Sequence, residues 1–318
     1  MKIVYLCNWD GASGGIKVLY DHVRILRTRG FDANLGATSK FRRCIWFDHE
    51  PEEIPAVEDV FESLTGADWL VVPEFVMHDP RALQCTARKA VFIQNHSLVP
   101  PQAALAPFEA VMTASLPIAN WVRRTFPAAP PVDVFEGFLE DEWIGSRVRW
   151  QGGPVRALIT PRRDKNRGEP LLARDELRRL RIATTTMTDF MHRNDFARLF
   201  RCHPVYLHLS YPEGFPNPVL EAFGAGCLVI GFAGMGGLHF MEDGANCLIA
   251  ADGDWQAVVR MVQHVHRSEP GAYDVLLAGA RATARHYDER RLSDRLAAFF
   301  ADSVSMAPAQ PRSATSAR

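Results

Sequence analysis

Short apolar runs recur along the first half of the chain, and stretches with helical spacing separate them. The first run, residues 2–9, is rich in β-branched and aromatic side chains, and similar runs follow at 68–74, 89–95, 110–115 and 132–137. Runs of about four to eight such residues are typical of buried strands. Because strands that alternate with helices form parallel sheets covered on both faces, the pattern predicts a doubly wound α/β domain.

An amphipathic helix is predicted directly after the first run. Its apolar positions recur at three- and four-residue intervals and are Ile16, Leu19, Val23 and Leu26. Gly14 and Gly15 precede this helix, and Gly30 ends it. A strand, a glycine turn and a helix can hold an anion or a hydroxyl-rich ligand at the helix N-terminus. The glycine spacing does not fit the dinucleotide fingerprint, so a tight turn and a ligand site both remain open.

The second half of the chain repeats the alternation after a segment without periodicity. Residues 138–154 end in Gly-Gly-Pro and are interpreted as a linker between two domains, which we place at 1–140 and 153–284. Strand-like runs of the second domain stand at 155–160, 181–187, 205–210, 227–232 and 246–250. A helical pattern then covers 271–302, and the tail 303–318, poor in large apolar residues, is predicted to be disordered.

The densest group of polar side chains follows the third of these later runs. Glu213 and Glu221 stand eight positions apart, the first in a turn rich in proline, glycine and asparagine, the second in a helix predicted to start near Val219. A second apolar run then leads into a second glycine turn, formed by Gly234, Gly236 and Gly237. Because the carboxyl ends of parallel strands meet at one edge, we expect the two turns side by side, around a polar, anionic ligand.

Basic side chains and a histidine are predicted at the same kind of strand end. The segment 156–181 carries nine basic and four acidic residues, most of them expected on a solvated helix face. Arg162, Arg163 and Lys165 differ because they follow a predicted strand directly, where guanidinium and ammonium groups suit a diphosphate. His96 follows a strand of the first domain in the same way, and a structural and a functional role are both open for it.

Composition and charge narrow the class of protein. With 47% hydrophobic and 23% charged residues in 318, the chain can bury two cores of ordinary size. A net charge of -1 argues against nucleic acid as a partner. Six cysteines are scattered without a CxxC pair, the first apolar run is too short for a signal peptide, and no window of about 18 apolar residues occurs. We expect a cytoplasmic protein without a transmembrane span, and peripheral contact with the inner face of the membrane remains open.

The motif around the two glutamates resembles the donor-binding core of retaining glycosyltransferases of the GT-B fold, family 4 type. The Glu-x7-Glu signature of that family is matched from Glu213 to Glu221, and Ala222 and Gly226 stand where the family has its EA…G. The resemblance implies two Rossmann-like, doubly wound domains that face each other across a cleft, the second binding a nucleotide sugar. It also implies that a helix at 285–302 returns to brace the first domain.

The resemblance assigns roles to individual residues. It implies that Glu213 and His96 act at the donor sugar as catalytic residues, and that Glu221 binds the ribose hydroxyls. The full set that it implies for donor binding is Gly14, Gly15, Arg162, Arg163, Lys165, Phe215, Asn217 and Glu221. The implied reaction transfers a sugar from a nucleoside-diphosphate sugar to an acceptor hydroxyl, in the biosynthesis of a glycan, glycolipid or natural-product glycoside, without a cofactor or a metal ion.

Departures from the family pattern keep other functions open. Pro216 stands where the family often has glycine and removes a backbone N–H, and Leu238 and His239 stand where the family often has a glutamate. One strand–helix unit that the family commonly has before the glutamate motif is also missing. A sugar-nucleotide epimerase or phosphorylase on the same scaffold is one alternative. A nucleotide-sugar-binding subunit that has lost catalysis is the other.

A possible metal motif lies further along the chain. Asp252-Gly253-Asp254 matches the Asp-x-Asp signature by which another glycosyltransferase fold holds a divalent ion. Its position favours a different role, because Asp252 and Gly253 directly follow the predicted strand at 246–250 and Asp254 precedes a helical pattern. Such positions are typical of a turn and of a helix N-cap, which is what we expect here.

Overall fold

Two parallel β-sheets covered by helices make up the computed structural model. The residues that it describes are 1–7, 13–37, 57–144, 154–160, 168–187 and 191–305. The sheets have six and five strands, each sheet built from strands that alternate with helices. This is the predicted arrangement of two doubly wound, parallel α/β sheets. No helix within the described ranges is both long and apolar enough to cross a bilayer.

The first sheet contains six strands, all parallel to their neighbours. They are β1 (Lys2–Cys7), β2 (Asp32–Ala37), β3 (Trp69–Pro73), β4 (Arg88–Ile93), β5 (Ala110–Thr113) and β6 (Val132–Val134). Their order across the sheet is β2-β1-β3-β4-β5-β6. The direction of winding therefore reverses between β1 and β3, where open α/β sheets bind ligands.

The second sheet contains five parallel strands. They are β7 (Arg156–Ile159), β8 (Ala183–Thr186), β9 (Val205–His208), β10 (Leu228–Phe232) and β11 (Leu248–Ala250). Their order is β11-β10-β9-β7-β8, so the winding reverses between β7 and β9. The loop that follows β9 carries the first glutamate of the motif, and it therefore starts at this reversal point.

Helices connect the strands and cover both faces of each sheet. They are α1 (Gly14–Thr28), α2 (Val57–Ser63), α3 (Pro80–Gln84), α4 (Leu116–Thr125), α5 (Gly168–Arg179), α6 (Arg193–Arg201), α7 (Asn217–Ala225), α8 (Trp255–Arg267), α9 (Asp274–His286) and α10 (Glu289–Ser305). Short 3-10 helices follow several strands, at Glu74–Val76, His96–Leu98, Asp141–Trp143 and Gly236–His239.

The strands form nearly continuous apolar runs because both of their faces are buried. In β1, Ile3 and Tyr5 belong to the hydrophobic cluster on one face of the first sheet, whereas Val4 and Leu6 belong to the cluster on the other face. All four side chains are at most 4% exposed. Parallel sheets with helices on both faces require such runs, which is why the strands could be read from the sequence.

The last helix packs on the first domain. Arg24 of α1 donates to both carboxylate oxygens of Glu289, at 3.0 and 2.6 Å. Further along α10, the ring of Phe300 lies 5.9 Å from the ring of Trp69 in β3. The last segment of the chain therefore contacts the sheet in which the chain begins.

Several boundaries differ from the sequence pattern. The helical region expected at 271–302 consists of two helices, because α9 ends at His286 and α10 runs from Glu289 to Ser305. Residues 306–318 of the predicted tail lie outside the described residues. Between β7 and β9 the described residues contain one strand, β8, with helices α5 and α6, as expected for a chain that has lost a strand–helix unit.

Candidate functional site

The two domains touch along the carboxyl edges of their sheets. Gly214, in the loop after β9, presses on the loop after β4, since a Cβ atom at Gly214 would lie 1.5 Å from the carbonyl oxygen of Gln94. Beside this contact, Nδ2 of Asn95 donates to the carbonyl oxygen of Pro212 at 3.1 Å. The edge at which both sheets are expected to bind ligands is therefore an interface between the domains.

The two glycine turns of the second domain lie side by side, as expected from the sequence. The Glu213 N–H donates to the carbonyl oxygen of Gly234 at 2.8 Å, and the Gly236 N–H donates to the carbonyl oxygen of Glu213 at 2.9 Å. A Cβ atom at Gly236 would lie 2.0 Å from the carbonyl oxygen of Gly214, so only glycine fits there. The backbone of Glu213 is thus fixed on both sides, and its side chain is partly exposed at this edge.

The start of α7 faces the start of α1 across the interface. A Cβ atom at Gly14 would lie 3.1 Å from Nδ2 of Asn217, and one at Gly137 would lie 2.5 Å from Oδ1 of the same side chain. Ser13 caps α1, and its hydroxyl accepts from the Gly15 N–H at 3.2 Å. The structure therefore brings together three of the residues expected to bind the donor, at the N-termini of two helices from different domains.

The side chain of Phe215 lies in an aromatic cluster. Its ring centroid is 5.1 Å from that of Phe240, 5.9 Å from that of Tyr287 and 6.0 Å from that of His239. His239 in turn accepts from the Leu116 N–H at 3.1 Å through Nδ1, which links it to the start of α4 in the first domain. Phe215 therefore anchors the loop of the glutamate motif against the interface.

A buried ion network lies behind this loop and joins the two domains. Lys17 of α1 contacts Asp21 at 2.6 Å and Glu140 of the linker at 2.5 Å. Arg193, the first residue of α6, pairs through Nη2 with Glu140 and through Nη1 with Oε1 of Glu221 at 2.8 Å. Glu221 of the motif is therefore held by a residue that the sequence did not single out. These five residues are called the ion network below.

Within the described residues, the ion network contains two cations, Lys17 and Arg193, and the three carboxylates of Asp21, Glu140 and Glu221. Arg24 of α1 adds positive charge near Asp21 and Glu140. Oε2 of Glu221 is buried and has no hydrogen-bond partner among the described residues. Burial raises the pKa of Glu221, and Arg193 opposes that rise. Glu221 lines a pocket between the domains with Asn217, Phe138 and the network residues Lys17, Asp21 and Arg193.

His96 and a buried acid lie on the first-domain side of the interface. His96 begins a 3-10 helix after β4, and its ring packs 5.6 Å from that of Trp121. Burial lowers the pKa of His96, so its imidazole is neutral at pH 7. Glu74, after β3, accepts from the Asn95 N–H at 3.0 Å, and burial raises the pKa of Glu74 to about 7.

The Asp-x-Asp segment has structural partners. Oδ1 of Asp252 accepts from the Gly234 N–H at 3.0 Å, so this side chain supports the second glycine turn. Asp254 is the N-cap of α8, and its Oδ1 accepts from the Ala257 N–H at 2.8 Å. Gly253 between them has a φ of +89°, which favours glycine. The predicted turn and N-cap are confirmed.

Three predicted residues cannot be placed. Arg162, Arg163 and Lys165 lie outside the described residues, between the end of β7 at Ile159 and the start of α5 at Gly168. The strand itself lies next to β9, at the reversal point of the second sheet. Their assignment to the diphosphate therefore stays a prediction that rests on this position.

The charged residues of the ion network that sequence reasoning missed are Lys17, Asp21, Glu140 and Arg193. Glu140 comes from the segment without periodicity, and Arg193 starts a helix whose other charged residues are mostly exposed. Lys17 and Asp21 stand four positions apart, a spacing that usually marks a pair on the helix surface. Apolar residues surround both of them in α1, which is a signal of burial. Glu140, the second partner of Lys17, is distant in sequence and could not be found in this way.

Comparison with known proteins relates the second half of the chain to a family. Residues 146–268, which include the chain from β7 to α8, match the family model described as glycosyl transferases group 1. The matched segment carries both glutamates, the two glycine turns and Arg193. No curated protein sequence is significantly similar to the chain.

Solved structures share the fold over both domains. The pneumococcal O-GlcNAc transferase GtfA, in complex with UDP and GlcNAc, has a TM-score of 0.69 at 11% identity, over 96% of this chain and 99% of its own. Sucrose-phosphate synthase from Thermosynechococcus elongatus has a TM-score of 0.71 at 12% identity, over 96% and 100%. HepE from Anabaena, in complex with UDP and glucose, has a TM-score of 0.69 at 16% identity, over 95% and 100%. These likenesses confirm the predicted GT-B fold.

Proposed function

We propose that the protein is a retaining glycosyltransferase that moves a hexosyl group from a nucleoside-diphosphate sugar to an acceptor hydroxyl. The bond between the anomeric carbon and the leaving phosphate oxygen breaks, and the anomeric carbon bonds to the acceptor oxygen on the same face. The acceptor proton passes to the leaving phosphate. The observation that carries the proposal is the meeting of the Glu213 loop and the starts of α7 and α1 at one interface between the domains.

Glu213 is assigned to the donor sugar. Its backbone is fixed by hydrogen bonds to Gly234 and Gly236, in the loop that follows β9. A carboxylate on such a backbone can accept hydrogen bonds from sugar hydroxyls and stabilise positive charge that develops at the anomeric carbon. His96 is assigned to the same sugar from the first-domain side, as a neutral imidazole that can donate and accept.

Glu221 is assigned to the ribose of the nucleotide. Its Oε1 is held by Arg193 at 2.8 Å, whereas Oε2 has no partner among the described residues. A buried oxygen without a partner is costly, and a ribose hydroxyl would satisfy it. Because Glu221 is 5% exposed while the domains touch, we expect the nucleotide to bind to a more open form that then closes.

The diphosphate is assigned to the start of α1 and to the basic residues that follow β7. The N-terminus of α1 carries Gly14 and Gly15. The Gly15 N–H donates to Ser13, whereas Gly14 has no side chain to cover its own N–H, which an anion can approach. Arg162, Arg163 and Lys165 follow the strand β7 in the sequence, and we assign their positive charge to the diphosphate. The two similar structures solved with UDP support a nucleoside diphosphate as the donor's leaving group.

We propose that no metal ion is needed for this chemistry. Asp252 and Asp254, which form the motif that suggested a metal, already accept from backbone N–H groups of Gly234 and Ala257. Guanidinium groups, an ammonium group and a helix N-terminus can offset the charge of a diphosphate without an ion.

The acceptor and the location are assigned only by class. We propose an acceptor hydroxyl on a glycan, a glycolipid or a natural-product glycoside. We propose that the transfer takes place in the cytoplasm, where nucleotide sugars are available to an enzyme of this class, with peripheral contact at the inner face of the membrane as one setting.

A thermal-shift panel tests donor binding. UDP, GDP, dTDP, ADP and CMP are compared, and at a concentration of about 100 Kd a bound nucleotide should stabilise the fold by about 2.7 kcal/mol. Lys165→Ala and Arg162→Ala should remove most of the shift, because they delete charges opposite the diphosphate. The matched control is Arg198→Ala, an exposed side chain of α6 that pairs with Asp195 at 3.1 Å. No shift with any nucleotide would contradict the proposal, and a shift without turnover of any nucleotide sugar would indicate a binding subunit.

A further inference from the structure

The guanidinium of Arg193 pairs with two carboxylates from different parts of the chain. Nη1 contacts Oε1 of Glu221, on α7 of the second domain, at 2.8 Å. Nη2 contacts Oε2 of Glu140, which lies in the segment between the domains. The side chain of Arg193 is 8% exposed, and its guanidinium lies 5.0 Å from the centre of the Trp143 ring. Arg193 is therefore held on three sides, and its position fixes that of Glu221.

The second oxygen of Glu221 is in a different situation from the first. Oε1 is occupied by Arg193, whereas the buried Oε2 has no hydrogen-bond partner within the described residues. Glu221 and Asn217 line the same pocket at the start of α7. A carboxylate with one oxygen fixed and the other unsatisfied is arranged to accept a hydroxyl donor.

The unpaired oxygen of Glu221 favours a ligand that donates hydrogen bonds. A vicinal diol supplies O–H donors to a carboxylate without bringing a charge of its own into the interior. A second carboxylate or a phosphate group at the same point would bring a like charge next to Glu221 and be disfavoured.

We propose that Arg193 is a positioning residue for nucleotide recognition, which presents Oε2 of Glu221 to the ribose hydroxyls and ties that carboxylate to the first domain. The tie runs from Arg193 to Glu140 and on to Lys17 of α1, through contacts with side chains that are all mostly buried. This inference rests on the proposed function, since it concerns the site at which the nucleotide donor would bind. It adds Arg193 to the proposed nucleotide site, and it connects the ribose-binding Glu221 to the domain interface through Glu140 and Lys17.

Lysine cannot replace arginine in this role. The planar guanidinium offers separate N–H groups to two carboxylates at once, and the arrangement fixes the angle between them. An ammonium group keeps the charge but is a single point, so it can satisfy Glu140 or Glu221 without holding both in register. Arg193→Lys therefore removes the positioning and preserves the number of charges.

Isothermal calorimetry with paired nucleotides tests the proposal. The nucleoside diphosphate that stabilises the wild type most is compared with its 2′,3′-dideoxy form, which lacks the ribose hydroxyl donors. In the wild type the ribose form should bind about tenfold or more tightly, as expected for hydrogen bonds to a charged group. In Arg193→Lys this ratio should fall to within about twofold of one, while the affinity for the dideoxy form stays close to that of the wild type.

Two further variants complete the design. Arg198→Lys, on the same helix but exposed, is the matched control and should keep the wild-type ratio. Glu140→Gln weakens the contact at the other end of Arg193 but keeps the size of the side chain and an acceptor oxygen, so it should fold and give an intermediate ratio. If Arg193→Lys does not fold, as judged by circular dichroism, the ratio of the two affinities in Glu140→Gln tests the role of Arg193 instead.

The outcomes separate this inference from the proposed function. An unchanged ratio in Arg193→Lys, or equal weakening of both nucleotides, would overturn the role of Arg193 while leaving the donor class intact. An unchanged ratio in Glu140→Gln would overturn it when the first variant is unfolded. If no nucleoside diphosphate binds to the wild type, the proposed function fails first and this inference fails with it.

Discussion

Glu213 and Glu221 belong to one sequence motif but lie in different environments. Glu213 is partly exposed in a loop whose backbone is bonded to the second glycine turn. Glu221 is 5% exposed, in the second turn of α7, and is paired with Arg193. The motif therefore combines one partly exposed carboxylate with one buried carboxylate whose orientation is set by Arg193.

The two glutamates should respond differently to substitution. Glu221→Ala should weaken binding of the bare nucleoside diphosphate by about 1.5–3 kcal/mol, the scale of a hydrogen bond to a charged group. Glu213→Ala should leave that affinity nearly unchanged and lower turnover, because it acts on the sugar. Calorimetry and a turnover assay on both variants measure the split, and the reverse pattern would rule out the assignment.

Glu221→Ala should remain folded, which makes this comparison possible. Without Glu221, Arg193 keeps its pair with Glu140, and Lys17 keeps its pairs with Asp21 and Glu140, so both cations of the ion network retain a partner. Asp195→Ala, on the surface of α6, serves as the control for loss of a carboxylate.

Glu74 predicts a dependence of stability on pH. Because its pKa is raised to about 7 by burial, the folded protein keeps a proton that the unfolded chain releases above its ordinary value near 4.5. Its contribution to stability is therefore present below that value and is lost as the pH rises to about 7. Glu74→Gln, which keeps an acceptor for the Asn95 N–H, should gain about 3 kcal/mol relative to the wild type between pH 4 and pH 8.

Urea denaturation of both proteins across this pH range measures the effect. The difference in free energy of unfolding between variant and wild type should grow up to about pH 7 and then level off. Parallel pH profiles for the two proteins would show that Glu74 is ionised alike in both states.

At the scale of single side chains, the sequence could predict residues whose position follows from their own strand or helix. The interface contains Gly14, Gly15, Glu213 and Asn217, each of which lies in a loop after a strand or at the start of a helix. Arg193 could not be found in this way, since its partner Glu221 lies 28 positions away and the pair forms only after two helices pack together.

At the scale of elements, strands were easier to predict than helix ends. The strands are continuous apolar runs because both faces of each sheet are buried, and that property is visible in the sequence. Helix α7 begins at Asn217 rather than near Val219, since Pro218 is favoured in the first turn of a helix. The helical pattern after residue 271 breaks at Tyr287, whose carbonyl oxygen accepts from the Leu139 N–H at 2.8 Å.

The N-cap of α8 gives a prediction about stability and metal dependence. Asp254→Ala removes the acceptor of the Ala257 N–H and should cost about 1 kcal/mol in free energy of unfolding, without loss of turnover. Asp254→Asn keeps a good capping side chain and is the matched control. Full activity in EDTA is expected for the wild type. Activity that is lost in EDTA and restored by magnesium or manganese would make this turn part of the site.

At the scale of the whole molecule, the contact between the domains is the feature that the sequence could not supply. It brings Gly214 against Gln94, Asn217 against Gly14 and Gly137, and Lys17 towards Glu140. Each pair is distant along the chain, and each joins the first domain to the glutamate motif or to the linker. The resemblance implied a cleft, but it did not say which residues meet there.

Gly214→Ala should prevent this contact. Its Cβ atom would lie 1.5 Å from the carbonyl oxygen of Gln94, which is backbone and cannot rotate away, so the domains must separate. We expect a larger radius of gyration by small-angle X-ray scattering and turnover lowered by about 100-fold, because reacting groups are displaced by about 1 Å or more.

Gly66→Ala is the matched control for this experiment. A Cβ atom there would be 3.8 Å from its nearest neighbour, the carbonyl oxygen of Thr86, which is ordinary contact. The control should behave as the wild type in both measurements. Wild-type scattering and turnover in Gly214→Ala would show that the domains need not meet for catalysis.

The anomeric configuration of the transferred sugar tests the central claim most directly. The wild type is incubated with the nucleotide sugar whose nucleotide stabilises it most, and the product is followed by NMR from the earliest turnover. An α-linked donor should give an α-linked product, read from the coupling constant of the anomeric proton, and Glu213→Ala should form it more slowly. A β-linked first product, or no turnover of any nucleotide sugar by the folded protein, would contradict the account.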